Sequence, residues 1–232
     1  MSNELQLEPT YVSPPGFRLR DAQIADAEEI TNLWYASFNT SNIFWHYATP
    51  DDPITRKWFD EVWIMGIKAG KDVVRTLVIE DLSKANRLVA FGRFQPPQKD
   101  GRNVLPMPPV PEHWDPEITD GCFGGMARAR ARLMGAKPHW MAQYIGIDEA
   151  YQNKRLAVVF MDWLFKRADA ANLDCYADAS MKGYAVWKHY GWVEQPGPTA
   201  RVSGRLGQFE TYELVPIIRP ARSSSVSVLA KL

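Results

Sequence analysis

The chain has 232 residues, 46% of them hydrophobic, with 27 basic against 27 acidic side chains and a formal charge of zero. That length fits one domain carrying long insertions around a large core. The charge balance argues against a nucleic-acid or membrane-surface partner, since both select a basic excess. No apolar run approaches the roughly 20 residues a bilayer requires. The opening MSNELQLEPTYVSPPG lacks a basic region followed by an apolar one, so no secretory signal is expected. The two cysteines, Cys122 and Cys175, make no disulfide framework, and a reducing intracellular compartment is expected. His46, His113, His139 and His189 are scattered without metal-ligand spacing, which predicts packing or surface histidines and no metal site.

In chain order, residues 1–16 predict an irregular arm. Phe17-Arg18-Leu19-Arg20 alternates and predicts a strand. Asp26 with Glu29 reads as a capping box opening a helix whose inner face is Ala27, Ile30, Trp34 and Phe38. After a loop from Asn39 to Pro50, Asp52 and Pro53 open a second helix, with Ile54, Trp58, Val62 and Met65 as its apolar face. Val73–Ile79 and Leu88–Phe94 predict an antiparallel hairpin. A proline-rich insertion follows at about 95–118, of a length that is usually functional or disordered inside a compact domain. Phe123–Met134 predicts a short helix whose Arg128, Arg130 and Arg132 form a solvated face.

Trp140–Ile147 predicts a strand. Leu156, Val159, Phe160, Trp163, Leu164, Ala168 and Ala171 then repeat at helical spacing, the clearest amphipathic signal in the chain. Leu173–Ala177 predicts a short strand, and Ser180 caps a helix that ends at Gly191. Gln208–Val215 predicts the last strand, and a serine-rich tail covers 220–232. The order β-α-α-β-β-(α)-β-α-β-α-β is that of an α+β protein with one main domain over 17–219.

The turn between the strand at Trp140–Ile147 and its helix reads Gln152-Asn153-Lys154-Arg155-Leu156-Ala157. A polar turn entering a helix offers unpaired N–H groups and the positive end of the helix dipole to an anion. With Ser180-x-x-Gly183-x-x-x-Trp187-x-x-x-Gly191-Trp192, this segment resembles the Gcn5-related N-acetyltransferase superfamily, most closely a largely fungal branch of it. The superfamily signature is Gln/Arg-x-x-Gly-x-Gly/Ala; here its glycine position holds Arg155.

The resemblance implies a mostly antiparallel twisted sheet with one splayed parallel strand pair, flanked by helices. It implies acetyl-CoA as co-substrate, with pantetheine along the backbone of Ile145 and Ile147 and pyrophosphate on Gln152, Asn153, Lys154, Arg155, Leu156 and Ala157. Ser180 is implied at the start of the last helix. The implied activity is N-acyl transfer to a small-molecule amine or related nucleophile, of the kind found in specialised metabolism. A tyrosine on the last helix often protonates the leaving thiolate in this superfamily. Its equivalent is Trp187, whose indole donates a hydrogen bond but does not usefully release a proton. Tyr184, one turn earlier, is the first substitute and Tyr190 the second; ordinary aromatic packing is the competing role. The proline-rich segment and the 39–50 loop are expected to line the acceptor pocket. Glu80, Gln143, Asp148, Glu149 and His46 are weighed as bases, each read first as a surface residue.

Two alternatives stay open: an enzyme of the same fold that has left acetyl transfer for decarboxylation or cofactor-free conversion of a metabolite, or a non-catalytic binding protein. The terminal Ala230-Lys231-Leu232 is a variant of a peroxisomal address, so the expected location is cytoplasmic or peroxisomal.

Overall fold

The computed structural model describes residues 13–101 and 105–222. Strands are β1 (Phe17–Asp21), β2 (Arg75–Asp81), β3 (Arg87–Gln95), β4 (Trp140–Ile147), β5 (Cys175–Ser180), β6 (Val193–Glu194), β7 (Ala200–Val202) and β8 (Tyr212–Arg219). Helices are α1 (Ala27–Phe38), α2 (Phe44–Ala48), α3 (Pro53–Ala69), α4 (Pro116–Thr119), α5 (Gly125–Met134), α6 (Leu156–Ala170) and α7 (Met181–Trp187). The sheet runs β1-β2-β3-β4-β5-β8-β6, with β7 also on β8. Every pairing is antiparallel except β4 with β5. It is the expected mixed, mostly antiparallel sheet with a single parallel pair.

One face of the sheet carries α6. Leu156, Val159, Phe160, Trp163, Leu164 and Ala168 bury there against Leu77, Val89, Phe94 and Ala177. The opposite face carries α1 and α3, packed through Ile30, Trp34, Phe59 and Trp63 onto Val78 and Phe91. The predicted inner face of α6 is therefore correct except at Ala171, which lies just past the helix and is exposed.

Several local expectations are corrected. Asp26 does not cap α1. Its carboxylate takes Arg20 and the Gln23 N–H instead, and Glu29 reaches across to accept from the Leu88 N–H at 2.8 Å. Asp52 does cap α3, accepting from the N–H groups of Ile54 and Thr55. The buried face of α3 is Thr55, Phe59, Val62, Trp63 and Gly66, rotated from the predicted stripe, and Ile54 is exposed. Thr55 goes inside because its hydroxyl bonds Asp52 and accepts from the Trp114 indole.

The last strand is Tyr212–Arg219 rather than Gln208–Val215. The strand runs on through Pro216, although proline has no N–H for a ladder. This proline sits opposite the gap between β7, which pairs up to Leu214, and β6, which starts at Ile217. Its carbonyl accepts from the Gln195 N–H at 2.8 Å, so its nitrogen faces that same gap, where no ladder bond is needed. Residues 1–12 and 223–232, with most of the predicted arm and tail and all of Ala230-Lys231-Leu232, lie outside the described residues.

Candidate active site

The parallel pairing of β4 with β5 covers only Trp140–Ala142 against Cys175–Ala177. Beyond Ala142 the remainder of β4 is paired on its β3 side alone, and β5 beyond Ala177 keeps only its pairing with β8. The strands splay and open a cavity of about 560 Å³. Tyr144 pairs with Arg93 and Ala142 with Phe94, leaving Gln143 as the extra residue of a β-bulge. A bulge re-aims a side chain and bends its strand. It puts Gln143 in the cavity wall at the point where the strands part.

Ile145, Ile147 and Gln152 line this cavity on the β4 side. The turn after them is fixed from below. Tyr151 donates to Asp81 at 2.9 Å, Asp148 pairs with Arg87 at 2.6 Å, and the Asp148 N–H donates to Val89. Asn153 and Arg155 both take positive φ, at 64° and 61°. Arg155 thus adopts the left-handed conformation that suits the glycine of the signature, at modest cost for a non-glycine residue. It stands at the N-cap of α6 with no side-chain cap bond; the Val158 N–H donates to the Arg155 carbonyl at 3.1 Å, and the positive end of a 15-residue helix faces outward at this turn. The side chains of Asn153, Lys154 and Arg155 are exposed, Leu156 is buried and Ala157 half-buried; the Lys154 ammonium lies 4.4 Å from the Tyr151 ring centre.

On the β5 side, Ser180 caps α7 by accepting from the Gly183 N–H at 3.1 Å, and its hydroxyl also reaches the cavity wall. Trp187 lines the cavity and packs edge-on against Trp192. Tyr184 is not among the lining residues; it packs with Tyr190 against the α6-side core. The 39–50 segment, which contains α2, supplies Ser41, Asn42 and Trp45 to the opposite wall.

Of the candidate bases, Glu80 is buried in a cluster with Arg18 and Arg20 at the β1 edge. Asp148 is held by Arg87, Glu149 is exposed, and exposed His46 bonds the Asn39 carbonyl. Gln143 alone of these lines the cavity.

Sequence reasoning missed Asp178. It follows the last parallel pair on β5 and lines the cavity. Its Oδ1 accepts from Tyr176 at 2.6 Å and Thr199 at 2.9 Å, while its buried Oδ2 has no partner among the described residues. Burial pushes its carboxyl up to about 6, against the pull of the Tyr176 and Thr199 hydroxyls. A carboxylate tuned toward neutrality at a strand splay is equipped to take a proton. Its only sequence signal was a polar residue inside the Cys175–Ser180 strand. Cys122 and Cys175 are buried and unpaired, and burial pushes both thiols up to about 12, which rules them out as nucleophiles at neutral pH.

A second chamber of about 370 Å³ adjoins the first, and Met126, Gln143 and Tyr144 line both. The proline-rich segment forms its outer wall through Leu105, Met107, Val110 and Trp114. That segment is tied to α3 by the indoles of Trp58, donating to the Pro108 carbonyl, and Trp114, donating to Thr55. Arg130, expected on a solvated helix face, instead turns inward. It donates to His139 Nε2 at 2.8 Å and to Gln95 at 2.6 Å. Burial pushes His139 down to about 4, which keeps it neutral and able to accept. Arg128 pairs with Asp120 at the surface.

No family model and no curated protein matches the chain. Among solved structures, it is similar to a histone acetyltransferase HPA2-related acetyltransferase from Corynebacterium glutamicum, with TM-score 0.56 and 12% identity over 91% of this chain and 99% of that one. It is also similar to a mosquito arylalkylamine N-acetyltransferase-like protein, with TM-score 0.57 and 10% identity over 88% and 99%. The C-terminal condensation domain of Ebony, in complex with beta-alanyl-dopamine, gives TM-score 0.58 and 10% identity over 88% and 99%. At these identities the likeness establishes the fold, which is that of the N-acetyltransferases.

Proposed function

We propose that the protein transfers an acyl group from a coenzyme A thioester to a small-molecule amine held in the cleft between β4 and β5. The observation that carries this reading is the splay beyond Ala142 and Ala177, with an uncapped helix N-terminus at its rim. The residues present suit coenzyme A. Among the described residues, the backbone of β4 near Ile145 and Ile147 has no strand partner on the cleft side, as an added-strand contact with pantetheine requires. The α6 N-terminus suits a pyrophosphate, and the exposed Lys154 and Arg155 supply cations beside it.

In this reading Asp178 Oδ2 draws a proton from the ammonium of the acceptor and leaves it nucleophilic. The bound thioester supplies the carbonyl under attack. Trp187 offers its indole N–H to the departing sulfur as a hydrogen bond only. Thiols ionise near 8.5, so thiolate departs without a strong acid, and the loss of the usual tyrosine is tolerable. Tyr184, packed away from the cavity, is assigned no role in the transfer. The test is thioester consumption, followed by free thiol release, across a panel of small amines. Asp178→Asn should cut the signal about 100-fold or more while leaving acetyl-CoA binding intact; release without any amine dependence would contradict the reading.

A second reading has one observation in its favour. The Ebony domain shares the fold and was crystallised with a condensation product, beta-alanyl-dopamine. A cofactor-free condensation in the same cleft is the alternative if acetyl-CoA fails to bind. We further propose that Ala230-Lys231-Leu232 directs the chain to peroxisomes in a eukaryotic host. A C-terminal fluorescent tag should then redistribute the protein relative to an N-terminal tag.

A further inference from the structure

The second chamber concentrates unmet polar groups in an apolar shell. Arg93, on β3, is 0% exposed, and Nε, Nη1 and Nη2 of its guanidinium all lack a hydrogen-bond partner among the described residues. Among the described residues the buried Nη2 of Arg130, Oγ1 of Thr119 and Oε1 of Gln143 also lack partners, and all three residues line the same chamber. Among the described residues, no Asp or Glu lines it. The rest of the wall is largely aromatic, with Trp58, Phe59, Trp63, Trp114 and Phe123. Arg93 has the Trp63 ring 5.3 Å from its guanidinium carbon, and Tyr144 is its cross-strand neighbour. Gly66 makes room for it: a Cβ there would lie 3.0 Å from Nη2.

A buried guanidinium without a counter-charge is costly, and proteins rarely retain one without a partner. Arg219 shows the ordinary solution in this same chain, a two-bond fork onto Asp169 at 2.7 and 2.8 Å. Among the described residues no carboxylate meets the Arg93 guanidinium, which packs against Gly66 and Trp63. The missing partner has to be planar and anionic to use the fork, and apolar behind its charge to suit the aromatic wall.

We propose that this chamber binds the carboxylate of a small aromatic or aliphatic acid, with Arg93 gripping the carboxylate and Arg130 Nη2 supporting it. Because Gln143 and Tyr144 line both cavities, the far end of such a ligand points to the strand splay where Asp178 stands. The acyl acceptor is then an apolar amino acid rather than a simple amine. That last step rests on the transferase reading; the carboxylate site itself does not.

The test is titration calorimetry of the full chain with 3-phenylpropionate, phenylalanine, phenethylamine and inorganic phosphate. The two carboxylates should bind, and phenethylamine should bind at least about tenfold more weakly, as expected for losing a charge-assisted hydrogen bond. Arg93→Met should erase this preference and Arg93→Lys should keep part of it. Failure of both carboxylates to bind, equal binding of phenethylamine, equal binding of inorganic phosphate, or an unchanged preference in Arg93→Met would overturn the proposal. If Arg93→Met does not fold, the wild-type comparison decides alone. Titration of the same preparation with acetyl-CoA separates the two claims. Carboxylate binding without acetyl-CoA binding sinks the transferase reading and keeps the chamber, and the reverse result sinks the chamber only.

Discussion

Arg219 and Arg93 are both buried in the sheet, on opposite faces, and their surroundings could hardly differ more. Arg219 lies on the α6 face, forked onto Asp169 and resting 4.1 Å from the Phe165 ring centre. Arg93 lies on the α3 face among indoles and phenyl rings, with no carboxylate among the described residues. The first arrangement closes a structural joint between α6 and β8. The second buries a cation in the wall of a chamber with no such fork among the described residues. Burial alone therefore says little about a charge; what decides its role is whether the chain itself supplies the counter-charge.

The comparison predicts unequal responses to mutation. Asp169→Ala should strand Arg219 as an unpaired buried charge and destabilise the protein by about 3–5 kcal/mol, read from denaturant unfolding. A loss under 1 kcal/mol would mean the joint is solvated. Asp178 is the buried anion to set beside these cations. Asp178→Asn should lower kcat/KM by about 100-fold or more. In the wild type kcat/KM should climb as pH rises through about 6, where Asp178 ionises, and the variant should lose that limb. The stability effect has the opposite sense. Because burial raises this carboxyl above 3.8, the native chain keeps a proton that the unfolded chain has lost, so Asp178 contributes stability below about 4 that is lost as pH rises through about 6.

Arg93→Met should reverse the sign seen at Asp169 and leave the protein unchanged or more stable by about 1 kcal/mol, since it removes a buried cation that has no partner. A loss of several kcal/mol would show that Arg93 has a structural role. Trp187→Phe should be the mildest, cutting kcat by less than about tenfold, because it removes one hydrogen-bond donor and no proton.

How far the sequence revealed this molecule follows the same division. Trp140–Ile147 and the α6 face were legible because strand and helix periodicities are local and Leu156 to Ala168 keep one of them without a break. The α3 face was not, since apolar residues surround that helix and only tertiary contacts choose among them. Trp58 faces the proline-rich segment, and Gly66 makes room for Arg93. The motif at Gln152–Ala157 could be read directly, but the fate of Arg155 could not, because a left-handed φ at an arginine leaves no trace in composition. Asp178 and Arg93 were invisible for a related reason. Each is a polar residue within a mostly apolar strand, and its meaning depends on which other strands lie opposite.

The most direct test of the central claim is calorimetric titration of wild type and Arg155→Glu with acetyl-CoA. The account predicts a micromolar dissociation constant for wild type and a marked loss in Arg155→Glu, because the substitution places a negative charge at the α6 N-terminus where a pyrophosphate would lie. No binding by wild type, or equal binding by both proteins, would contradict it.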